Sequence, residues 1–367
     1  MAKIIKHILL GILGLLILAV IVFGIIYFTR IKTIMSLQKI TSYDDYNVYS
    51  MTVSYDYDLD SLIEADIHDN QTFIDAIVNE SLPLLPISME APDFGCSAFT
   101  LTAEDGDVMM GRNYDFKYDS SALIVYCSPK SGYKSVAFAA LDNVSANQAD
   151  ESLRSRLACL TAPFICLDGM NEMGVSIAVL TLDSDPTYQQ TGKHTLTTSF
   201  LIRLVLDRAA STQEAVDLIS QYDMFATSGR DYHFYITDAS GDGRVIEYDC
   251  ESETRELTVT PSEAVTNFFI MYKDKVLPDQ KNGIYGHGRE RYDAILSVFE
   301  EDEGSYSKET AWNALKVAAQ DPNPEDVTSN TQWSIVYNNT NLTLEASLRR
   351  DWDNIITYSL TDNVVNK

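Results

Sequence analysis

Cys96 is the residue of this sequence whose surroundings best suit nucleophilic chemistry. It opens the alternating pattern CSAFTLTA directly after Gly95 and a segment, 83–92, that three prolines interrupt. Arg112 and Asp115 lie 16 and 19 positions further on, within the second pattern GRNYDF. An Asp-Gly turn between the two patterns predicts a β-hairpin whose second strand returns, at about 3.3 Å per residue, to the level of the cysteine. We therefore expect a cation and a carboxylate beside the thiol.

A base for this thiol would arise if the chain were cut between Gly95 and Cys96. A cysteine thiol has a pKa of about 8.5, so little of it is ionised at neutral pH. The new α-amino group, with a pKa of about 7.7–8.0, would stand on the same Cα and take the thiol proton. Asp115 would hold the ammonium form, and Arg112 would lower the thiol pKa or bind a substrate oxygen. From spacing alone, a buried structural cysteine and a surface Arg-Asp pair remain the alternatives.

The N-terminus predicts a membrane anchor. Residues 8–28 form a stretch of 21 residues without a charged side chain, after a short tail of residues 1–7. About 20 apolar residues span a bilayer as a helix, whereas a secretory signal has a shorter apolar region and a small-residue cleavage site. Basic residues flank the stretch on both sides, so the positive-inside rule is nearly balanced. The short tail and large acidic domain favour a single-pass arrangement with the domain outside the cytoplasm.

The remaining patterns predict an α+β fold. Residues 29–95 are interpreted as a stalk and a helical pro-segment, with helices within 60–80, and residues 96–367 as the catalytic domain. Strand patterns occupy 96–116, 121–128, 135–141, 164–182, 232–249, 254–260, 264–271 and 331–348, and helical patterns occupy 195–210, 211–222, 291–300 and 309–319. Strands in runs, then helices, then strands again indicate layered packing rather than alternating βαβ units.

Composition excludes several classes of function. A net charge of -26 and a pI near 4.4 argue against nucleic acid, which a protein binds through a basic face. The five cysteines contain no Cys-x-x-Cys pair, and the five histidines no HExxH motif, so neither a metal nor a cofactor is expected. If Cys96 is the nucleophile, the other four cysteines are either free thiols or two disulfides.

Three motifs together resemble the choloylglycine hydrolase family of N-terminal nucleophile (Ntn) amidases. They are CSAF at 96–99, GRNYDF at 111–116 and GMNEMG at 169–174, and the strand at 331–338 is also similar. The family holds bile salt hydrolases, penicillin V acylase and, more distantly, acid ceramidase. The resemblance covers roughly residues 96–350. It implies a four-layer αββα sandwich that hydrolyses a linear amide through a thioester at an N-terminal cysteine.

The resemblance also implies roles for single residues. Cys96 would be the nucleophile that carries the base, with Arg112 and Asp115 as its immediate partners. Asn171 and Asn267 match positions that direct amide donors toward the substrate carbonyl, an oxyanion-hole function. Without the family, Asn171 is interpreted as a turn residue and Asn267 as a strand-end cap.

Arg291 matches the late active-site arginine of the family. That arginine usually follows a serine, but Glu290 precedes it here, and Arg289 is a competing assignment. A charged first turn of a surface helix is the alternative to either assignment.

The long N-terminal region departs from most of the family, since 95 residues precede the nucleophile. The acid ceramidase branch offers a parallel, in which a helical segment is cut free by the protein itself and stays packed on the catalytic part. The segment 60–80 fits that description. If the two parts stay associated, the enzyme remains tethered to the membrane, and if they separate, it is released.

These features predict an acylase that autoprocesses at Gly95–Cys96 and cleaves a small-molecule N-acyl amide. Three alternatives stay open: acyl transfer to an amine acceptor, a non-catalytic membrane-anchored binding protein, and a Cys-His protease that uses His194, His233 or His287. Acyl and amine specificity and the oligomeric state are left open.

Overall fold

The computed structural model describes residues 2–44, 46–83, 95–116, 119–323, 325 and 329–366 of the chain. Most of the proline-interrupted segment before Gly95 therefore lies outside the described residues. The α-helices of the described ranges are α1 Ala2–Met35, α2 Leu59–Glu64, α3 Asn70–Ser81, α4 Leu153–Ala158, α5 Thr198–Arg208, α6 Thr212–Ile219, α7 Arg289–Glu301 and α8 Lys308–Ala318. The strands are β1 Gln38–Lys39, β2 Val48–Thr52, β3 Gly95–Thr102, β4 Val108–Asp115, β5 Ala122–Cys127, β6 Ser135–Ala140, β7 Cys166–Asn171, β8 Ser176–Leu182, β9 Thr195–Thr197, β10 Asp223–Phe225, β11 Asp231–Thr237, β12 Arg244–Tyr248, β13 Leu257–Pro261, β14 Ala264–Val265, β15 Thr331–Asn338, β16 Thr343–Leu348, β17 Ile356–Ser359 and β18 Val364–Asn366.

Two large sheets are stacked between helices. The nine-stranded sheet has the order β1-β2-β5-β6-β7-β8-β11-β12-β13, and the seven-stranded sheet has the order β14-β3-β4-β15-β16-β17-β18. Strand β3 contacts β8 and β11 of the other sheet, helix α5 packs on β7 and β8, and helices α7 and α8 pack on β3 and β4. This arrangement is the predicted four-layer αββα sandwich.

Strands β3 and β4 form the predicted β-hairpin. Its register pairs Cys96 with Tyr114 and Ala98 with Arg112. Successive side chains of a strand point to opposite faces. On β3, Cys96 therefore faces the nine-stranded sheet, whereas Phe99 packs among the side chains of α7 and α8.

The N-terminal helix is longer than the predicted span. Helix α1 has 34 residues, and its segment Ile5–Met35 is long and apolar enough to cross a membrane. By length and composition this segment suits a membrane anchor or a signal sequence. Near its end, Arg30 donates from Nε to the carbonyl oxygen of Ser81 at 2.8 Å and from Nη2 to that of Glu80 at 2.5 Å. The end of α1 is thereby fastened to the end of α3.

The prediction of a stalk after the anchor is wrong for residues 48–52. They form β2, which pairs in parallel with β5 and completes one side of the nine-stranded sheet. Val48 and Tyr49 are fully buried. The sequence signal is weak because the strand is short, its alternate residues are polar, and its partner lies more than 70 residues away in the chain. The helices predicted within 60–80 are confirmed as α2 and α3, which begin at the capping residues Asp58 and Asp69.

Two predicted boundaries also change. The helix expected over 195–210 begins only at Thr198, because Thr195–Thr197 pairs as β9 with β10. The strand expected over 264–271 is limited to Ala264–Val265, after which the chain leaves the sheet. The following segment, which carries Asn267, therefore lies next to Cys96 instead of continuing the strand.

Candidate active site

The thiol of Cys96 lies between the two sheets and is fully buried. Burial raises its pKa to about 12, the guanidinium of Arg112 opposes this increase, and the carboxylate of Asp115 adds to it. The backbone N–H of Asp115 also favours the thiolate. In the uncut chain Cys96 is therefore a protonated thiol at neutral pH, with Arg112 as its nearest cation.

Arg112 is held from three directions. Its Nη1 donates to the carbonyl oxygen of Asn113 at 2.7 Å, its Nη2 donates to that of Val179 at 2.8 Å, and its Nε donates to Asp168 at 3.3 Å. Asp168 also accepts a hydrogen bond from the hydroxyl of Tyr337 at 2.5 Å. Because Arg112 and Asp168 are both fully buried, this carboxylate balances the arginine next to the thiol.

Asp168 was missed by the sequence analysis. A signal was present, since a carboxylate directly precedes the GMNEMG motif inside an apolar strand pattern. A charged side chain is rarely buried unless it is paired, and Asp168 on β7 meets Arg112 on β4 only through the stacking of the sheets.

Asn267 contacts the backbone nitrogen of Cys96. Its Oδ1 accepts a hydrogen bond from the N–H of Cys96 at 2.9 Å, and its Nδ2 donates to the carbonyl oxygen of Thr181 at 2.9 Å. Gly286 packs closely against the backbone of Asn267 and Phe268. A Cβ at Gly286, which has a φ of +99°, would lie 2.1 Å from the carbonyl oxygen of Asn267. Only glycine fits there.

Arg291, in the first turn of α7, contacts the backbone oxygen of Cys96. Its Nη1 donates to the carbonyl oxygen of Cys96 at 2.9 Å, and its Nη2 donates to Oδ1 of Asn267 at 2.8 Å. Arg289 instead bonds Asp293. The structure thus brings Arg291, rather than Arg289, to Cys96, and Arg291 is buried rather than part of a surface turn.

Asp115 lies on the opposite face of β4 from Arg112. Its Oδ1 accepts a hydrogen bond from Thr331 at 2.6 Å, and its Oδ2 accepts bonds from Gln320 at 2.8 Å and from Arg291 at 3.4 Å. Burial raises the pKa of the Asp115 carboxyl, and the cation of Arg291 opposes that rise. The carboxylate of Asp115 is therefore linked to the backbone of Cys96 through Arg291. The group of Asp115 that contacts the thiol is its backbone N–H.

Asn171 is not brought to this cluster. Its Nδ2 donates to two carbonyl oxygens at the end of α5, at 2.8 and 3.2 Å, and its Oδ1 accepts N–H groups of its own turn. It faces Val175 at the start of β8, and Thr181, which touches Asn267, lies six residues further along that strand. Six strand residues span roughly 20 Å. The turn-residue interpretation of Asn171 fits these contacts, and Thr181, like Asp168, is a site residue that the sequence analysis missed.

Two of the histidines considered for a Cys-His protease are paired elsewhere. His233 contacts Glu247 at 3.2 Å, and His287 contacts Asp183 at 2.8 Å. All five cysteines are free thiols, so the open question about disulfides is answered for this structure.

Comparison with known proteins agrees with this architecture. Residues 96–259 match the sequence model of the family described as linear amide C–N hydrolases, choloylglycine hydrolase family. No curated protein sequence matches the chain.

Solved structures share the fold over most of the chain. A variant of the conjugated bile acid hydrolase from Clostridium perfringens is 16% identical with a TM-score of 0.54, and the match covers 74% of this chain and 96% of that one. Penicillin V acylase from Agrobacterium tumefaciens is also 16% identical with a TM-score of 0.52, and the match covers 72% and 86%. At this identity the likeness shows the fold alone. The chain therefore matches the choloylglycine hydrolase family of linear amide C–N hydrolases over residues 96–259, and it shares the fold of these Ntn-hydrolase structures.

Proposed function

We propose that this protein hydrolyses the C–N bond of a small N-acyl amide by acyl transfer to Cys96, after the chain is cut between Gly95 and Cys96. The observation that carries the proposal is the convergence of Asn267 and Arg291 on the backbone nitrogen and oxygen of Cys96. A cysteine that acts only through its side chain gives no reason for two buried polar side chains to hold its main chain.

The backbone nitrogen gains a chemical use only when the preceding bond is cut. A peptide nitrogen does not accept a proton, whereas an α-amino group has a pKa of about 7.7–8.0. Oδ1 of Asn267 would accept a hydrogen bond from this amine. The nearby cation of Arg291 would lower the amine pKa and so favour the neutral form that acts as a base.

In the proposed reaction the α-amine takes the thiol proton, and the sulfur attacks the amide carbon. The tetrahedral intermediate collapses as the α-ammonium gives its proton to the leaving amine, and a thioester remains on Cys96. Water then attacks the thioester with the α-amine as base and releases the acid. Nδ2 of Asn267, oriented by Thr181, is our candidate donor to the developing oxyanion, a contribution of about 2.7–4 kcal/mol for one donor.

The burial of Cys96 supports the proposal that the uncut chain is an inactive precursor. Cys96 is fully buried, and its pKa of about 12 keeps it protonated in the uncut chain. We propose that its thiol attacks the carbonyl carbon of Gly95, and that the Gly95–Cys96 C–N bond breaks as the thiol proton passes to the nitrogen, which frees the new N-terminus. Water then hydrolyses the resulting thioester, which frees the thiol and releases the carboxylate of Gly95. One cut then supplies the base and opens the route to the thiol.

We also propose that the enzyme remains tethered after the cut, as a fragment 1–95 bound to the catalytic fragment 96–367. Strand β2 lies between β1 and β5 and pairs with β5 over Val48–Thr52. Helix α2 is joined to α5 through the ion pair of Asp60 and Arg208 at 2.7 Å. A buried strand contributes core contacts and backbone hydrogen bonds, so its loss would open the sheet. With α1 as a single-pass anchor, we place the catalytic domain outside the cytoplasm.

The test uses the full chain purified from membranes in detergent. Wild type is expected to give two fragments on a denaturing gel but one peak in gel filtration, and mass spectrometry should find Cys96 at the start of the larger fragment. It should release amine from at least one member of a panel of conjugated bile acids, penicillin V and N-acyl amino acids. These substrates are chosen because structural neighbours are named for two of the classes.

Variants of two cysteines separate the outcomes. Cys96→Ala should leave only the full-length band and no turnover, and Cys96→Ser should retain some processing but lose most turnover. Cys250→Ala, at a half-buried cysteine of the β12–β13 turn, is the matched control and should behave like wild type. A single full-length species that still cleaves amides would overturn the amine-base mechanism, and equal turnover by Cys96→Ser would remove Cys96 from its role.

A further inference from the structure

The segment that presents Asn267 has little regular structure of its own. It leaves β14 after two residue pairs with β3 and enters a 3-10 helix at Ile270. The position of Asn267 against Cys96 therefore depends on what holds this segment at its two ends.

A buried pair on the opposite sheet contacts both ends. His233 on β11 and Glu247 on β12 are fully buried. Nε2 of His233 lies 2.8 Å from the carbonyl oxygen of Thr266, directly before Asn267. The two carboxylate oxygens of Glu247 accept the N–H groups of Ile270 and Met271 at 2.7 and 3.0 Å, directly after the segment.

The hydrogen bonds of this pair join its two side chains to each other and to the backbone. Nδ1 of His233 lies 3.2 Å from Oε1 of Glu247, and Nε2 contacts Thr266, so both ring nitrogens have polar partners. Glu247 also accepts two backbone N–H groups, so both of its carboxylate oxygens have partners.

Such a pair is a weak means of stabilising a fold. Burying two such polar side chains has a desolvation cost, and apolar side chains of similar volume often serve stability as well or better. What the pair offers is fixed direction, because its hydrogen bonds outside the pair end on the backbone on both sides of Asn267, at Thr266, Ile270 and Met271. A further bond, from the hydroxyl of Thr266 to the carbonyl oxygen of Gly288 at 2.8 Å, extends the connection to the start of the helix that carries Arg291.

We propose that His233, paired with Glu247, is a positioning residue for the reaction at Cys96. It sets the place of Asn267, and through Thr266 that of Arg291, against the backbone of the nucleophile. This inference rests on the proposed function, because Asn267 and Arg291 matter to turnover only if the main chain of Cys96 takes part in it.

The experiment is a double-mutant cycle in the full-length protein in detergent. His233→Phe keeps the ring volume and removes both ring nitrogens, His233→Gln keeps one donor, and each is combined with Asn267→Ala. With the fastest substrate of the amide panel, His233→Phe is expected to lower kcat about 100-fold, the loss typical of a misplacement of about 1 Å, with little change in KM. His233→Gln should recover a measurable part of that loss. In the Asn267→Ala background, His233→Phe should lower kcat by no more than about twofold, the scatter of independent effects.

A matched control comes from the same strand. Tyr235 donates to the carbonyl oxygen of Ser262 at 2.8 Å, which is a partly buried contact between the same sheet and the chain ahead of β14. Tyr235→Phe should lower the melting temperature and leave kcat unchanged. Equal losses from His233→Phe with and without Asn267, or a lower melting temperature with normal kcat, would overturn the positioning role.

A second readout does not require turnover. Hydrogen exchange of the backbone amides of Ile270 and Met271 should be faster in His233→Phe, His233→Gln and Glu247→Gln than in wild type and Tyr235→Phe. If no amide is cleaved by wild type, the proposed function fails, while unchanged exchange in all three variants would refute the positioning of this segment by His233. If His233→Phe does not fold, kcat and hydrogen exchange are measured on His233→Gln and Glu247→Gln instead.

Discussion

The guanidinium of Arg291 donates to the main-chain oxygen of Cys96 at 2.9 Å, although 195 positions separate the two residues in sequence. The same side chain reaches Oδ1 of Asn267, which in turn accepts the N–H of Cys96. A single arginine thereby links both backbone groups of the candidate nucleophile. Its planar group of donors suits such a double contact, whereas the ammonium of a lysine is a point charge.

Replacement of Arg291 should change the pH profile as well as the rate. Because a nearby cation lowers the pKa of an amine, Arg291→Gln should raise the pKa of the α-amino group of the cut enzyme. Turnover requires the neutral amine, so the acidic limb of kcat/KM should move to higher pH. Arg291→Lys should keep the limb near its original place but lower kcat, because it loses one of the two contacts. Rates from pH 5 to 10 measure both effects. Arg289→Gln replaces the neighbouring, partly exposed arginine, which bonds Asp293, and should match wild type. An unmoved limb in Arg291→Gln would separate this arginine from the amine.

Thiol alkylation should distinguish the uncut and cut chains. In the uncut chain, trapped by Gly95→Val, the Cys96 pKa of about 12 leaves far less thiolate than in free cysteine, whose pKa is about 8.5. Iodoacetamide at pH 8 should therefore label Cys96 on the order of 10³-fold more slowly than free cysteine, with a tenfold rise for each pH unit. After the cut, labelling of Cys96 should become fast.

Cys127 provides the internal control for this measurement. Burial raises its pKa to about 11, and it should stay unlabelled in both forms because it lies in the core of the other sheet. Peptide mapping by mass spectrometry reports both sites at once. Fast labelling of Cys96 in the uncut chain would contradict the closed precursor.

Asp168→Asn should affect stability and thiol reactivity in opposite directions. Removing one partner of a buried ion pair typically destabilises a protein by about 3–5 kcal/mol, because the other charge is left unbalanced. With less competition for its charge, Arg112 should favour the Cys96 thiolate more, so the folded variant should be alkylated faster at a given pH. Urea unfolding and iodoacetamide labelling measure the two effects.

A second buried pair gives the control for Asp168. Arg203 contacts Asp207 at 2.7 Å, far along α5 from the nucleophile, and Asp207→Asn should also lower stability. It should leave the alkylation rate of Cys96 unchanged. If both variants accelerate alkylation equally, general loosening of the fold is the cause, and the specific link from Asp168 through Arg112 is absent.

Asn171 and Thr181 should respond differently to substitution. Asn171→Ala removes the hydrogen bonds to the end of α5 and should lower the free energy of unfolding by about 1–3 kcal/mol with kcat unchanged. Thr181→Val removes a hydroxyl that lies 3.3 Å from Nδ2 of Asn267 and should lower kcat with a smaller effect on stability. Denaturant titration and initial rates decide between them. A large loss of kcat in a stable Asn171→Ala protein would restore the oxyanion role inferred from family resemblance.

Local signals in the sequence were sufficient for much of the fold. The hairpin of β3–β4 follows from alternating patterns around an Asp-Gly turn, β7 and β8 lie within the predicted strand pattern 164–182, and α6 lies within the predicted helical pattern 211–222. Strand β2 was missed because its identity depends on β5, a distant partner that no local pattern reveals. The same limit applies to Asp168, which becomes meaningful only when the two sheets are stacked.

Whether two residues of the hairpin lie an even or an odd number of positions apart explains why Arg112 faces the thiol and Asp115 does not. In an antiparallel pair, side chains on one face recur at every second residue. Arg112, opposite Ala98, shares the face of Cys96, and the prediction of a cation beside the thiol is supported by this register. Asp115 lies three residues after Arg112 and so faces away from the thiol. Its link to Cys96 passes through Arg291, whose position depends on a helix near the end of the chain.

The parallel pairing of β2 with β5 has a practical consequence for producing this protein without its N-terminal apolar helix. A gene that starts at Cys96 would supply the proposed N-terminus directly but leave β5 as a bare sheet edge, which invites aggregation. A better starting point lies shortly before Arg30, so that its bonds to the end of α3 and the whole of β2 are retained. The protein made this way should be soluble and should still have to mature by its own cut.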